Sequence, residues 1–274
     1  MPRARKVETF EDIQRQLRNN YGLGDGKTYK PWVRVQDVPS KGLSGKIHGI
    51  KTSRVHHLLS EHETCFFYLA EFSDLVIDIR EQFPLFPLTL SIQIAESLRL
   101  KHPSPPRSKN VSVMTTDFVL TLQKGEKIWY EAISVKPEAE LSNPRTAQKL
   151  DIERIWWQLH GIEFRIFTKT IKASCQSSTI QWLTLPLRQG FSLPEHLIYQ
   201  CLSLFTLGPT PVAKLCDKLQ SVIEPNYRLD PLDVLKTLIA KKYIKVDLEY
   251  SIADTGIMDI KSVASPLEEC SNAV

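Results

Sequence analysis

The sequence predicts two folded units: an α/β domain with the element order α-β-β-β-α-β, and behind it a smaller, mainly helical domain. Three observations carry this. The chain has 274 residues, more than the roughly 150 of a single domain. Up to residue 168 its apolar residues switch between helical spacing and short runs rich in Val, Ile and Phe, the mark of mixed architecture. Beyond residue 185, prolines at 194, 211 and 231 each open a helical pattern, the position proline favours. With 42% hydrophobic and 24% charged residues, disordered, collagenous and coiled-coil classes are excluded. The longest apolar run, residues 65–70, falls far short of the ~20 that span a bilayer. The basic start lacks the apolar core of a signal peptide, and a cytoplasmic protein is expected.

Phe10, Ile13 and Leu17 recur at helical spacing and predict a short helix ending before Asn19. Residues 21–54 are rich in Gly, Lys and Pro and read as a flexible basic loop. The segment from Gly22 to Thr28 is not a phosphate-binding loop, because three residues rather than four separate its outer glycines and Pro31 interrupts any following helix. Ser60 with Glu63 forms a capping-box pattern that opens an apolar helix through Phe66, Phe67 and Leu69.

A strand is predicted from Leu75 to Ile79, and a helix near residues 89–99, bracketed by prolines 84, 87, 103, 105 and 106. Thr116–Leu122 and Lys127–Val135 follow as a hairpin turning at Lys124-Gly125. Asn143, Pro144 and Gly161 delimit a further helix, before a strand from Glu163 to Thr168. Residues 169–184 read as a connector. Thr210 and Asp230 are predicted caps for two of the three helices that follow. A strand from Tyr243 to Leu248, a turn near Thr255-Gly256 and a return over Ile257–Ile260 complete a winged-helix-like order for residues 185–274.

The five cysteines (65, 175, 201, 216 and 270) are widely spaced with no C-x-x-C pair, so neither disulfides nor a zinc ribbon is indicated. The charge is uneven. Residues 1–55 carry 12 Lys and Arg against 5 Asp and Glu, whereas residues 185–274 carry 9 against 11. A basic front suits a polyanion such as nucleic acid, and an acidic back suits a protein partner.

The hairpin brings chemistry together. Symmetry about Lys124-Gly125 sets Asp117 opposite Ala132, and alternation then places Ser134 and Lys136 on the face of Asp117, with Ser134 a diagonal neighbour at about 7–8 Å. Glu63 has two readings. As the third helical residue it caps Ser60, and as a site residue it is freed from that box. His56, His57, His62 and Cys65 cluster locally, but two of them precede the cap and no return pair follows, so zinc is not expected. Lys149 and Glu153, one turn apart, read as a solvated pair, and Trp156 and Trp157 as cover for the sheet.

Several segments together resemble the TnsA endonuclease family of heteromeric transposons: residues 54–63 (RVHHLLSEHE), 78–85 (DIREQFPL), Thr116-Asp117-Phe118, Val135-Lys136-Pro137 and 149–154 (KLDIER). The resemblance implies a restriction-endonuclease-like catalytic domain over residues 1–168, including the basic arm, with Glu63, Asp117 and Lys136 as its catalytic set. It further implies Mg²⁺ as cofactor, with Mn²⁺ as a substitute, held by Glu63 and Asp117 and joined by Ser134 or the main-chain carbonyl of Val135. Two hard carboxylates suit such an ion. Where the family usually carries Gln or Glu, this chain has Ser134. Glu71 and Glu153 match acidic positions of the family and stand as secondary candidates.

The activity implied is cutting of the 5′ ends of a transposon in double-stranded DNA, alongside a TnsB-like DDE transposase that cuts the 3′ ends. A TnsC-like ATPase regulator would dock on residues 185–274, and a nucleoid-associated location follows. The competing readings are a non-catalytic DNA-bridging subunit and a stand-alone restriction-like nuclease.

Overall fold

The computed structural model describes residues 7, 9–38, 43–104, 110–223 and 229–264. Pro105, Pro106, Cys270 and the basic residues at 3, 5, 6 and 41 lie outside them. The chain divides into two compact units, Met1–Thr170 and Ile171–Val274.

The first unit begins with helix α1 (Phe10–Arg18), closed by a capping box between Thr9 and Asp12. An antiparallel hairpin of β1 (Gly45–His48) and β2 (Val55–Leu58) follows. Next come α2 (Glu61–Phe72), β3 (Val76–Pro84), α3 (Leu88–Ser97), β4 (Thr115–Lys124), β5 (Lys127–Val135), the short α4 (Glu138–Leu141), α5 (Pro144–Leu159) and β6 (Glu163–Phe167). The predicted α-β-β-β-α-β order is present as α2, β3, β4, β5, α5 and β6, with α3 between β3 and β4. The sheet runs β3-β4-β5-β6, with two antiparallel pairs and a parallel β5–β6 pair. A parallel pair needs a crossover, and α5 supplies it, with Asn143 at its cap and Pro144 at its first turn as the sequence predicts.

The sheet is covered by helices. Ile152, Trp156 and Trp157 of α5 pack with Ile94 and Ala95 of α3 against Val119 and Ala132. Phe66 of α2 packs on Phe118 and Phe167, each with ring centroids 5.1 Å apart. Each fully buried Leu, Ile or Phe contributes about 1.5–3 kcal/mol before ordering entropy is subtracted.

Two expectations are corrected here. The hairpin pairs Val119, not Asp117, with Ala132. The loop is therefore Gly125-Glu126 rather than Lys124-Gly125, and Gly125 takes the positive φ (+59°) that a two-residue hairpin demands at its first position. A slip of two leaves every face unchanged. Residues 21–54, read as a flexible loop, instead hold buried anchors among exposed residues. Tyr29 and Trp32 are buried, and the Trp32 amide donates to the Gln82 carbonyl at 3.2 Å. Gly22, at φ +76°, lies so close to Pro84 that a Cβ there would come within 2.3 Å of it.

The second unit comprises α6 (Ile171–Arg188), α7 (Glu195–Leu202), β7 (Gly208–Pro211), α8 (Val212–Gln220), α9 (Pro231–Ala240), β8 (Ile244–Val246), α10 (Ile252–Thr255) and β9 (Ile257–Val263). The expected connector at 169–184 is almost wholly helix α6, and its Leu183 joins the core formed by Leu197, Leu215, Leu235 and Leu238. Thr210, expected as a helix cap, lies in β7, and Pro211 holds the cap of α8. Asp230 caps α9 as predicted. The three strands form one antiparallel sheet in the order β7-β9-β8. Among the described residues, no helix is long and apolar enough to cross a membrane.

Candidate active site

Asp117 lies on β4, Ser134 and Val135 end β5, and Lys136 follows directly. With Phe118 paired to Ile133, continuing the register puts Ser134, rather than Ala132, beside Asp117. Three donors meet Asp117 Oδ2: the Val135 amide at 2.6 Å, Lys136 Nζ at 2.7 Å and the Ser134 hydroxyl at 3.3 Å. Lys136 Nζ also donates to the Val135 carbonyl at 2.9 Å. Burial works to lower the pKa of Lys136, and the charges of Asp117 and Glu153 outweigh it, leaving the group raised and cationic.

Glu63 sits in the first turn of α2, where the Ser60 hydroxyl accepts from its amide at 3.1 Å. Its carboxylate accepts from the Leu59 amide and from the Ser60 hydroxyl, both at 3.0 Å. The return half of the box thus falls one residue early, on Leu59 rather than Ser60. The two readings of Glu63 coexist, because the same carboxylate also faces the site. Burial, then the charge of Asp117, raises its pKa to about 7.

Gln82 links the two carboxylates. Its amide nitrogen lies 3.5 Å from Glu63 Oε2 and 3.5 Å from Asp117 Oδ1, while its Oε1 accepts from the Thr115 hydroxyl at 3.0 Å. Carboxylates only accept, which assigns the nitrogen end to that side.

Residues 73–169 match the family model described as "TnsA-like endonuclease N terminal". Over this span the chain is similar to the TnsA family. It is also similar to the Transposon Tn7 transposition protein TnsA of Escherichia coli, with 42% identity over 183 residues, 66% of this chain and 65% of that protein. The chain thus matches just under two-thirds of its relative's length. Asp117, Ser134, Lys136 and Glu153 all fall inside the TnsA-like segment, and Glu63 precedes it. The mixed sheet flanked by helices fits a restriction-endonuclease-like core.

The secondary candidates of the TnsA resemblance separate. Glu153 on α5 is buried, not the solvated partner of Lys149 that its spacing suggests, because its helix face lies on the sheet. Burial, then Asp117, raises its pKa to about 8, and its Oε1 has no hydrogen-bond partner. It lines a cleft of about 330 Å³ with Thr115, Lys136, Thr146 and Lys149. Glu71 is placed elsewhere. It lies eight residues along α2 from Glu63, about 12 Å of helix rise, and accepts from the Ile50 amide at 2.6 Å. No single ion can be shared across that distance.

Among the described residues, no three His, Cys, Asp or Glu side chains stand together as a metal site. A cation at this TnsA-like site would draw on Glu63, Asp117, the Val135 carbonyl and the Ser134 hydroxyl. The set is all hard oxygen and suits Mg²⁺. The orphaned Glu153 oxygen and the ammonium already seated on Asp117 and Val135 both accord with a place that draws positive charge.

The histidine cluster has a structural occupant. His56 is fully buried, its Nδ1 2.8 Å from Glu81 Oε2 and its Nε2 2.7 Å from the Thr52 hydroxyl. Arg54 reaches both Glu81 oxygens, at 2.9 and 2.6 Å. Sequence reasoning assigned no role to Gln82 or Glu81. Both stand in the segment 78–85 that carries the family resemblance, which was the one available signal.

Proposed function

We propose that this chain is a metal-dependent DNA endonuclease that cuts the 5′ ends of a transposon. The observation that carries the reading is the meeting of Glu63, Asp117 and Lys136, drawn from a helix, a strand and the end of the next strand. Mg²⁺, or Mn²⁺ in its place, would lower the pKa of a bound water and offset charge on the phosphate being displaced. Glu63 and Asp117 would hold the ion, with the Val135 carbonyl completing the set and Ser134 contributing its hydroxyl. Lys136 would orient the attacking water or offset phosphate charge from its position beside Asp117. The excess of Lys and Arg in residues 1–55 supplies the duplex contacts.

In the second unit, helices α7, α8 and α9 with a three-stranded sheet ordered β7-β9-β8 support a winged-helix-like reading. We assign it to docking of a TnsC-like ATPase regulator, since acidic charge outweighs basic there. A TnsB-like DDE transposase would supply the 3′ cuts. The test is incubation of the full chain with its partner transposase and an end-bearing plasmid, with and without Mg²⁺. Incision at the 5′ ends that needs both Mg²⁺ and Asp117 supports the reading. Incision that survives chelation, or Asp117→Ala, overturns it.

A further inference from the structure

We propose that Gln82 is a positioning residue whose amide holds the carboxylates of Glu63 and Asp117 together so that both can serve one divalent cation. The inference rests on the metal-dependent reading above and adds to it a residue that makes no chemistry of its own.

Two observations lead to it. The first is the bridge: a single NH₂ group faces Glu63 Oε2 and Asp117 Oδ1, both at 3.5 Å. Two carboxylates brought together in a buried place repel. A neutral amide with two hydrogens offers one to each without cancelling either charge, whereas a Lys or Arg there would compete with the cation for the same oxygens. The second is the backbone. Gln82 lies in β3 at φ +49°, a left-handed conformation that costs a non-glycine residue about 1–2 kcal/mol. Such strain persists only where the surroundings over-determine it, and it gathers at functional sites. Here the surroundings are explicit. The Trp32 amide donates to the Gln82 carbonyl at 3.2 Å, and the Thr115 hydroxyl to its Oε1 at 3.0 Å. Both ends of the residue are fixed, and what they aim is the amide nitrogen. The side chain is buried, so it takes no part in the DNA-facing surface.

The test is calorimetric titration of Mn²⁺ onto the full chain, with thermal unfolding measured alongside. Gln82→Asn keeps the amide and tolerates a left-handed backbone, but is one methylene too short to bridge. Gln82→Met keeps the length and loses the amide. Thr115→Val removes the anchor of the amide and leaves both carboxylates. Loss of a group that orients ligands weakens metal binding by about 10–100-fold. That loss is expected for both Gln82 variants, with a smaller one for Thr115→Val, while unfolding temperatures stay near wild type. A purely structural role would move the unfolding temperature and leave Mn²⁺ affinity alone. Folded Gln82 variants that bind Mn²⁺ within threefold of wild type overturn the proposal. If neither folds, wild-type affinity in Thr115→Val overturns it instead. A wild-type chain that takes up no Mn²⁺ sinks the metal-dependent reading itself, which separates the two failures.

Discussion

Lys136 Nζ lies 2.7 Å from Asp117 Oδ2, an ion pair that joins the end of β5 to β4 at a place where both side chains stay partly reachable from solvent. Asp117→Ala takes away the acceptor shared by Lys136, the Val135 amide and the Ser134 hydroxyl. Lys136→Ala takes away the cation. Either change is expected to reduce 5′ incision at least about a hundredfold. Stability should fall by no more than about 1–3 kcal/mol, the range for leaving a largely buried polar partner unsatisfied. Strand-resolved gels of end-bearing plasmid, with the partner transposase still nicking the 3′ ends, read the first effect. Normal 5′ incision by folded Asp117→Ala protein would refute the assignment.

Ser134 makes the longest of the three bonds to Asp117, 3.3 Å against 2.6 and 2.7 Å. Ser134→Ala therefore leaves Asp117 held by its two shorter partners, and incision should fall by no more than about tenfold. Ser134→Gln restores the residue usual in the family but must enter a fully packed spot, at an overpacking cost of about 1–3 kcal/mol. Denaturant midpoints should therefore rank wild type above Ser134→Gln. Complete loss of incision in Ser134→Ala, with its fold intact, would make the hydroxyl an indispensable ligand.

The sharing of one face by Asp117, Ser134 and Lys136 was legible because strand alternation has a period of two, and an error of two in the hairpin register leaves it intact. Gln82 was not legible. Its contacts depend on a left-handed backbone inside a strand, which no pattern of residue types announces. Glu153 looked solvated since a Lys lies one turn away, and only the sheet packed against α5 decides otherwise. Helix α6 was hidden by its run of Ser and Thr and by Pro186, which read as linker composition although the helix carries the proline in its last turn at the loss of one i→i−4 bond. The strands β1 and β2 were lost among Gly and Lys for a similar reason, since pairing with each other rather than their own propensity makes them strands.

Glu81, next in the chain to Gln82, gives a pH dependence of its own. Burial works against its charged form, and His56 and Arg54 outweigh that, holding its pKa at about 2. An ordinary unfolded glutamate titrates near pH 4.3. The folded value is the lower one, so the stabilisation is complete above the unfolded pKa and is lost as pH falls toward 2. Glu81→Gln leaves Arg54 buried without its counter-charge and should cost about 3–5 kcal/mol at pH 7. Denaturant unfolding at pH 7 and pH 3.5 is the check: the gap between wild type and variant should narrow at the lower pH. A gap that stays constant or widens would count against the charged network.

The last prediction concerns where the chain can be cut. The two units meet between Thr170 and Ile171, whereas the sequence placed the start of the second domain at 185. A fragment starting at 185 loses Leu183, fully buried in the second core, and Trp182, which packs against that core. Removing one buried Leu costs about 2–5 kcal/mol, so residues 171–274 should melt well above residues 185–274. Charge then separates the functions. Residues 171–274 carry ten Lys and Arg against eleven Asp and Glu, a net of −1, which leaves +5 for residues 1–170. Duplex binding should follow the first fragment and weaken at least about tenfold between 50 and 200 mM salt, because each phosphate contact releases counterions. The second fragment should bind duplex poorly at about 0.1 M salt, where charges beyond about 10 Å are screened. Its lysines would otherwise need to be gathered on one surface, and Lys172, Lys236 and Lys261 are each paired with an acid of their own unit. Titration of labelled duplex against each fragment decides the matter. Tighter binding by residues 171–274 than by residues 1–170 would make the winged-helix-like unit a DNA reader and remove the ground for assigning it to the ATPase.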